Sequence, residues 1–145
     1  MAQSGQLDPL FGAAGLATLD MGLDTVDRGL EIALQADDKI IVAGESNAPG
    51  AYGKIILFRL FPDGTLDTSF ANAGVRVISS FNYAWQVRNL FVDDDDRIIL
   101  VGQRSYGEAG VWRMLPDGTN DNTYGTGGMI LLDPSNTFEF LDAEL

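Results

Sequence analysis

Three stretches decide the fold: GQLDPLFGAAG at 5–15, GTLDTSFANAG at 64–74 and GTNDNTYGTGG at 118–128. Each reads Gly-x-x-Asp-x-x-aromatic-x-x-x-Gly over eleven residues, and their first glycines stand 59 and then 54 residues apart. Self-similarity on that scale marks a repeat architecture, in which one supersecondary unit is copied along the chain. Two other segments keep step. DDKIIVAG (37–44) matches DDRIILVG (95–102), and ILFRLFPDG (56–64) matches GVWRMLPDG (110–118). The second pair aligns Arg59 with Arg113 and Pro62-Asp63-Gly64 with Pro116-Asp117-Gly118. Their offsets, 58 and 54, differ because the loop SNAPGAYGK (46–54) is longer than its partner. A period that changes only in a loop is the mark of a folding unit.

Within a unit the pattern is that of strands. Leu30, Ile32 and Leu34 alternate with Glu31, Ala33 and Gln35, and Leu90 and Val92 mark the same strand in the second unit. The acidic turns Asp37-Asp38 and Asp95-Asp96 lead into Lys39–Gly44 and Arg97–Gly102, runs of β-branched residues suited to strands buried on both faces. The next strands are expected over 54–61 and 109–115, each stopped by Pro-Asp-Gly, a turn sequence. Val75–Ser79 and Met129–Leu132 follow the eleven-residue motif as further strands, with Leu16–Leu19 as their first counterpart. That gives about four strands per unit and no sustained helical period, so the fold class is all-β.

Composition bounds the chemistry. A chain of 145 residues is expected to form one domain. Nine Lys and Arg against 21 Asp and Glu give a net charge of −12, which repels nucleic-acid phosphates and anionic lipid. There is no Cys and no His. Disulfides, thiol nucleophiles, Ser-His-Asp triads, imidazole acid–base catalysis and nearly all zinc or haem ligation are thereby removed. The apolar runs, such as Ile55–Phe58 and Met129–Leu132, are strand-sized and fall far below the roughly 20 residues of a membrane span. Met1–Gln6 has no basic start and no apolar stretch, so the expectation is synthesis in the cytoplasm without a signal peptide.

The repeat resembles the delta-60 repeat, a bacterial β-propeller family. The likeness is carried by Asp38-Lys39-Ile40-Ile41-Val42-Ala43-Gly44, by Arg59-Leu60 and by Asp63-Gly64-Thr65-Leu66-Asp67-Thr68-Ser69-Phe70. The second unit matches at Asp96–Gly102 and at Arg113-Met114. The resemblance implies propeller blades of about four antiparallel strands. Blade 1 is placed at about 16–63 and blade 2 at about 75–117, with a partial third unit over 118–145. Asp38 and Asp96 stand where the family has a turn glycine, which implies a wider or more strained hairpin. Two full units fall short of the roughly 4 to 8 blades of a closed propeller. Repeat units bury their apolar faces against neighbours, so completion is expected from oligomerisation or a protein partner. Three chains of two blades give a six-bladed ring, which favours a homotrimer.

The candidate sites are weighed against structural roles. Arg59 and Arg113 recur on apolar strands, and a buried charge needs a partner. The loop aspartates Asp8, Asp67 and Asp121 are the expected partners, in a structural clasp made by bidentate bonds. Asp93, Asp94 and Asp95, in the run Asp93–Asp96, are oxygen-rich enough to be calcium candidates. The run lacks the EF-hand spacing and coincides with the turn pair Asp37-Asp38, so a solvated hairpin is the plainer reading. Tyr52, Tyr106 and Trp85 are candidate binding aromatics, the tyrosines in variable loops. No catalytic residue, resident metal or cofactor is expected.

The function expected on these grounds is a non-enzymatic structural or adhesion module of a larger assembly, such as a phage tail fibre, collar or baseplate appendage. The alternative is an oligomeric propeller lectin that binds surface glycans. A carbohydrate-active enzyme ranks below both, because such chemistry needs only two carboxylates but none here is singled out by its surroundings.

Overall fold

The computed structural model describes residues 5–22, 26–47, 50, 53–79, 84–104 and 107–132. Among the described residues eight strands run in chain order: β1 (Val26–Leu34), β2 (Ile40–Asn47), β3 (Lys54–Leu60), β4 (Val75–Ile78), β5 (Trp85–Val92), β6 (Ile98–Arg104), β7 (Ala109–Met114) and β8 (Met129–Leu132). They form two four-stranded antiparallel sheets, β1-β2-β3-β4 and β5-β6-β7-β8, each a meander of neighbours in sequence. Among the described residues no strand pairing joins the two sheets. This is the all-β, open two-blade arrangement that the repeat predicts.

The sheets divide the chain later than the sequence reading placed the blades. Val75–Ile78 pairs with β3 and closes the first sheet instead of opening the second. Met129–Leu132 likewise pairs with β7 and completes the second sheet instead of beginning a third unit. Leu16–Leu19 is not a strand; Leu16 alone makes isolated bridges, to Gly12 and Ala13. The eleven-residue motif thus lies between the third and fourth strands of a sheet. That position follows from its ends: Pro-Asp-Gly terminates one strand, and the closing glycine starts the next.

The hairpin turns keep their register despite the missing glycine. Asp38 N–H donates to Gln35 C=O (3.0 Å) and Gln35 N–H to Lys39 C=O (2.9 Å), and Asp93–Arg97 repeats both bonds. Asp38 and Asp96 take the left-handed position, with φ of 62° and 59°. This is a tight type I turn with a bulge, and Asp is among the few non-glycine residues that tolerate it. The hairpin is strained at one residue and is not wide.

Packing is between sheet faces. Ile41, Ala43, Ile55, Leu57 and Ile78 of the first sheet meet Leu90, Ile98, Leu100, Trp112 and Met114 of the second in one buried core. The first sheet's other face carries Ile32, Leu34, Ile40, Val42, Phe58 and Leu60 and lines a cavity of about 570 Å³, flanked by Phe11, Leu19 and Met21. Ile32 and Leu34 there are 68% and 61% exposed. By the repeat, these residues correspond to Leu90, Val92, Ile98, Leu100, Trp112 and Met114. The half-open face of the first sheet is therefore the counterpart of the face that the second sheet buries.

Candidate functional site

The best-built polar site is the joint between the two sheets. Arg59 leaves β3 into the core side of the eleven-residue loop and is 6% exposed. Its Nε and Nη2 reach Asp67 Oδ2, both at 2.9 Å, and Nη2 also donates to Ser69 Oγ at 3.3 Å. Nη1 donates to Gln35 Oε1 (3.2 Å) and across the joint to the carbonyl of Pro116 (2.7 Å). The Phe70 ring lies 5.0 Å from the guanidinium. Every donor edge of this buried cation is thus answered, as its burial requires.

Asp67, 1% exposed, completes the unit. Its Oδ1 accepts from the Ser69 N–H (3.0 Å) and hydroxyl (2.6 Å). Burial alone pushes the Asp67 carboxyl up, but the Ser69 bonds and the Arg59 charge outweigh it and hold the group below the ordinary carboxylate range. The second unit repeats the arrangement: Arg113 Nε meets Asp121 Oδ2 at 2.7 Å, Nη2 meets Thr123 Oγ1 at 3.2 Å, and Tyr124 lies 4.6 Å away. The Thr123 hydroxyl, then its N–H and Arg113, keep Asp121 below the ordinary range against the effect of burial. Asp8 differs. Its Oδ1 accepts from Leu10 N–H (2.9 Å), and no arginine reaches it among the described residues. It is the member of the expected clasp that stays unclasped among the described residues.

The loop of one unit also docks on the Pro-Asp-Gly turn of the next. Ala71 N–H donates to Asp117 C=O (2.7 Å), and Phe70 covers Gly118, where an added Cβ would come within 2.5 Å of the ring. The first copy does the same one unit earlier: Gly12 N–H donates to Asp63 C=O (2.7 Å), and Phe11 covers Gly64. A turn glycine is needed there both for its positive φ and for this close approach. Asp96 adds a further tie, its carboxylate accepting from Ala36 N–H of the first sheet at 2.7 Å. Gln35 Nε2 reaches the carbonyls of Asp96 and Pro116, both at 3.3 Å.

The acidic run is absorbed into its own hairpin. Asp93 Oδ2 meets Arg97 Nε at 2.7 Å, and Asp95 Oδ2 meets Arg97 Nη2 at 2.9 Å. Burial raises the Asp93 carboxyl, but the bonds from Arg97 and from the Asp95 N–H lower it further, and it stays below the ordinary range. With Asp96 turned to Ala36, the carboxylates do not converge, and no group of three potential metal ligands occurs among the described residues. Trp85 is 5% exposed and packs edge-on to Trp112 at 4.6 Å, so it offers no open face to a sugar ring. Its place at the start of β5, facing the core, explains the correction. Tyr52 and Tyr106 lie outside the described residues.

Sequence reasoning missed Gln35, Asp96 as a joint residue, and the Pro116 and Asp117 carbonyls. Gln35 carried a signal, a polar residue continuing an apolar-alternating strand into a turn. The carbonyls carried none.

Residues 35–70 match the model of a β-propeller family described as a domain of unknown function, DUF5122. This stretch is similar to a β-propeller repeat. It runs from Gln35 through β2, β3 and the clasp to Phe70, so the repeat's own boundaries enclose the Arg59–Asp67 pair and the ring that docks on the next unit. The match supports the resemblance to the delta-60 repeat. Neither the curated proteins nor the solved structures give a match.

Proposed function

We propose that the chain is a non-enzymatic structural or adhesion module that works as part of a larger assembly. The observation that carries this reading is the half-open apolar face of the first sheet, equivalent by repeat to a face that the second sheet buries. Repeat units of this kind gain stability by stacking, and uncovered apolar faces favour association. The ionisable groups of the clasps and of the acidic hairpin serve structural bonds, which supports a role without catalysis. The favoured assembly is a cyclic homotrimer of two-blade chains, and the favoured setting is a virion part such as a tail fibre, collar or baseplate appendage. The acidic, cysteine-free composition suits that setting.

Light scattering after size exclusion tests the reading. A single species near three times 15.6 kDa is expected. A folded, non-associating monomer that also fails to bind its native particle contradicts it, and saturable binding on a glycan array would move the function to the lectin alternative.

A further inference from the structure

We infer that loop 118–128 of one copy docks on the Pro62-Asp63-Gly64 turn of a second copy, in place of that copy's own loop 5–15. The inference rests on the assembly reading above and specifies its surface. Within the chain the same loop-on-turn contact is already made twice, by Gly12 on Asp63 and by Ala71 on Asp117, each at 2.7 Å. The third loop is built to make it again. Gly125 has the same left-handed backbone, with φ of 54° against 53° at Gly12 and 45° at Ala71. Its N–H has no acceptor among the described residues, and Tyr124 stands over Arg113 as Phe70 stands over Arg59.

The resident loop is the weakest-held of the three. Loop 5–15 is docked but has no arginine clasp among the described residues, and Leu10 stands where Ser69 and Thr123 supply hydroxyls. Phe11 is half-buried, whereas Phe70 is fully buried, and Leu7 and Leu10 are mostly exposed. Loop 118–128 is the reverse, clasped by Arg113 and Asp121 but undocked. Exchange therefore places a preorganised loop in a socket held by a loose one.

The remaining contacts of the joint are also paired in advance. Pro116 C=O accepts Arg59 Nη1 and the Asp96 carboxylate accepts Ala36 N–H. Their counterparts, Pro62 C=O and the Asp38 carboxylate, have no partners among the described residues, nor do Arg113 Nη1 and Asp94 N–H. Among the described residues, acceptors are left on the first sheet and the matching donors on the second. Such a contact is heterologous, and a closing rotation makes a ring.

Sedimentation velocity over a concentration series, on the full chain and two variants, tests this. Phe11→Ala loosens the resident loop and is expected to tighten self-association roughly tenfold. Asp38→Gly suits the left-handed turn yet removes an acceptor from the socket, so association is expected to weaken roughly tenfold with no loss of melting temperature. A chain that associates with the same constants in both variants overturns the docking and leaves the assembly reading standing. A chain and a Phe11→Ala variant that both remain at 15.6 kDa overturn the docking and self-assembly together.

Discussion

Arg59 and Asp67 form the most buried ion pair of the joint, their side chains 8% and 2% exposed. Removing one partner leaves the other charge in the core. Asp67→Ala is therefore expected to cost about 3–5 kcal/mol, measured by urea denaturation. Asp121→Ala is expected to cost less, because the Arg113 side chain is 23% exposed and water can answer it. The pair also sets an acid limit. Asp67, Asp93 and Asp121 are all held below the ordinary carboxylate range in the fold, so their stabilisation is complete above their unfolded values, near pH 4. It is lost as pH falls further, through the folded values. Melting temperature should be nearly flat from pH 7 to 5 and fall below about pH 4, with a shallower fall in Asp67→Asn. The clasp is legible in the sequence because a lone arginine recurring on an apolar strand demands an anion. Which aspartate answers it depends on strand order, and no arginine reaches Asp8 among the described residues.

At the scale of elements, the hairpins show what a sequence pattern does and does not carry. The alternation at Leu30–Leu34 and the β-branched runs after each acidic turn placed β1, β2, β5 and β6 correctly, since period-two patterning is a local property. Sheet membership is not local. Val75–Ile78 follows the repeated loop, and only its pairing with β3 decides that it ends a sheet. Trp85 is a candidate binding aromatic by residue type alone, and its position at the start of a core-facing strand buries it. The two turn aspartates give a comparison within one molecule. Both have positive φ, but among the described residues only Asp96 has a carboxylate bonded across the joint. Asp38→Gly is expected to raise stability by about 0.5 kcal/mol, while Asp96→Gly loses the bond to Ala36 and is expected to give no gain. Thermal melts of the two variants side by side check this.

In the whole molecule one contact recurs as the unit of construction: a loop amide on a Pro-Asp-Gly carbonyl, with a ring over the turn glycine. Two such contacts hold the chain together, and a third waits at loop 118–128. Because each copy carries −12, association through that loop must overcome mutual repulsion, and added salt is expected to tighten it. Sedimentation at low and high ionic strength checks the sign. The most direct measurement is residue-resolved amide hydrogen exchange of the full chain over a concentration series. The Ala71 N–H, bonded to Asp117, should be protected throughout. Gly125 should gain protection as mass rises, while Gly12 loses it by the same midpoint. Rising mass with Gly12 still protected and Gly125 still open would contradict the account.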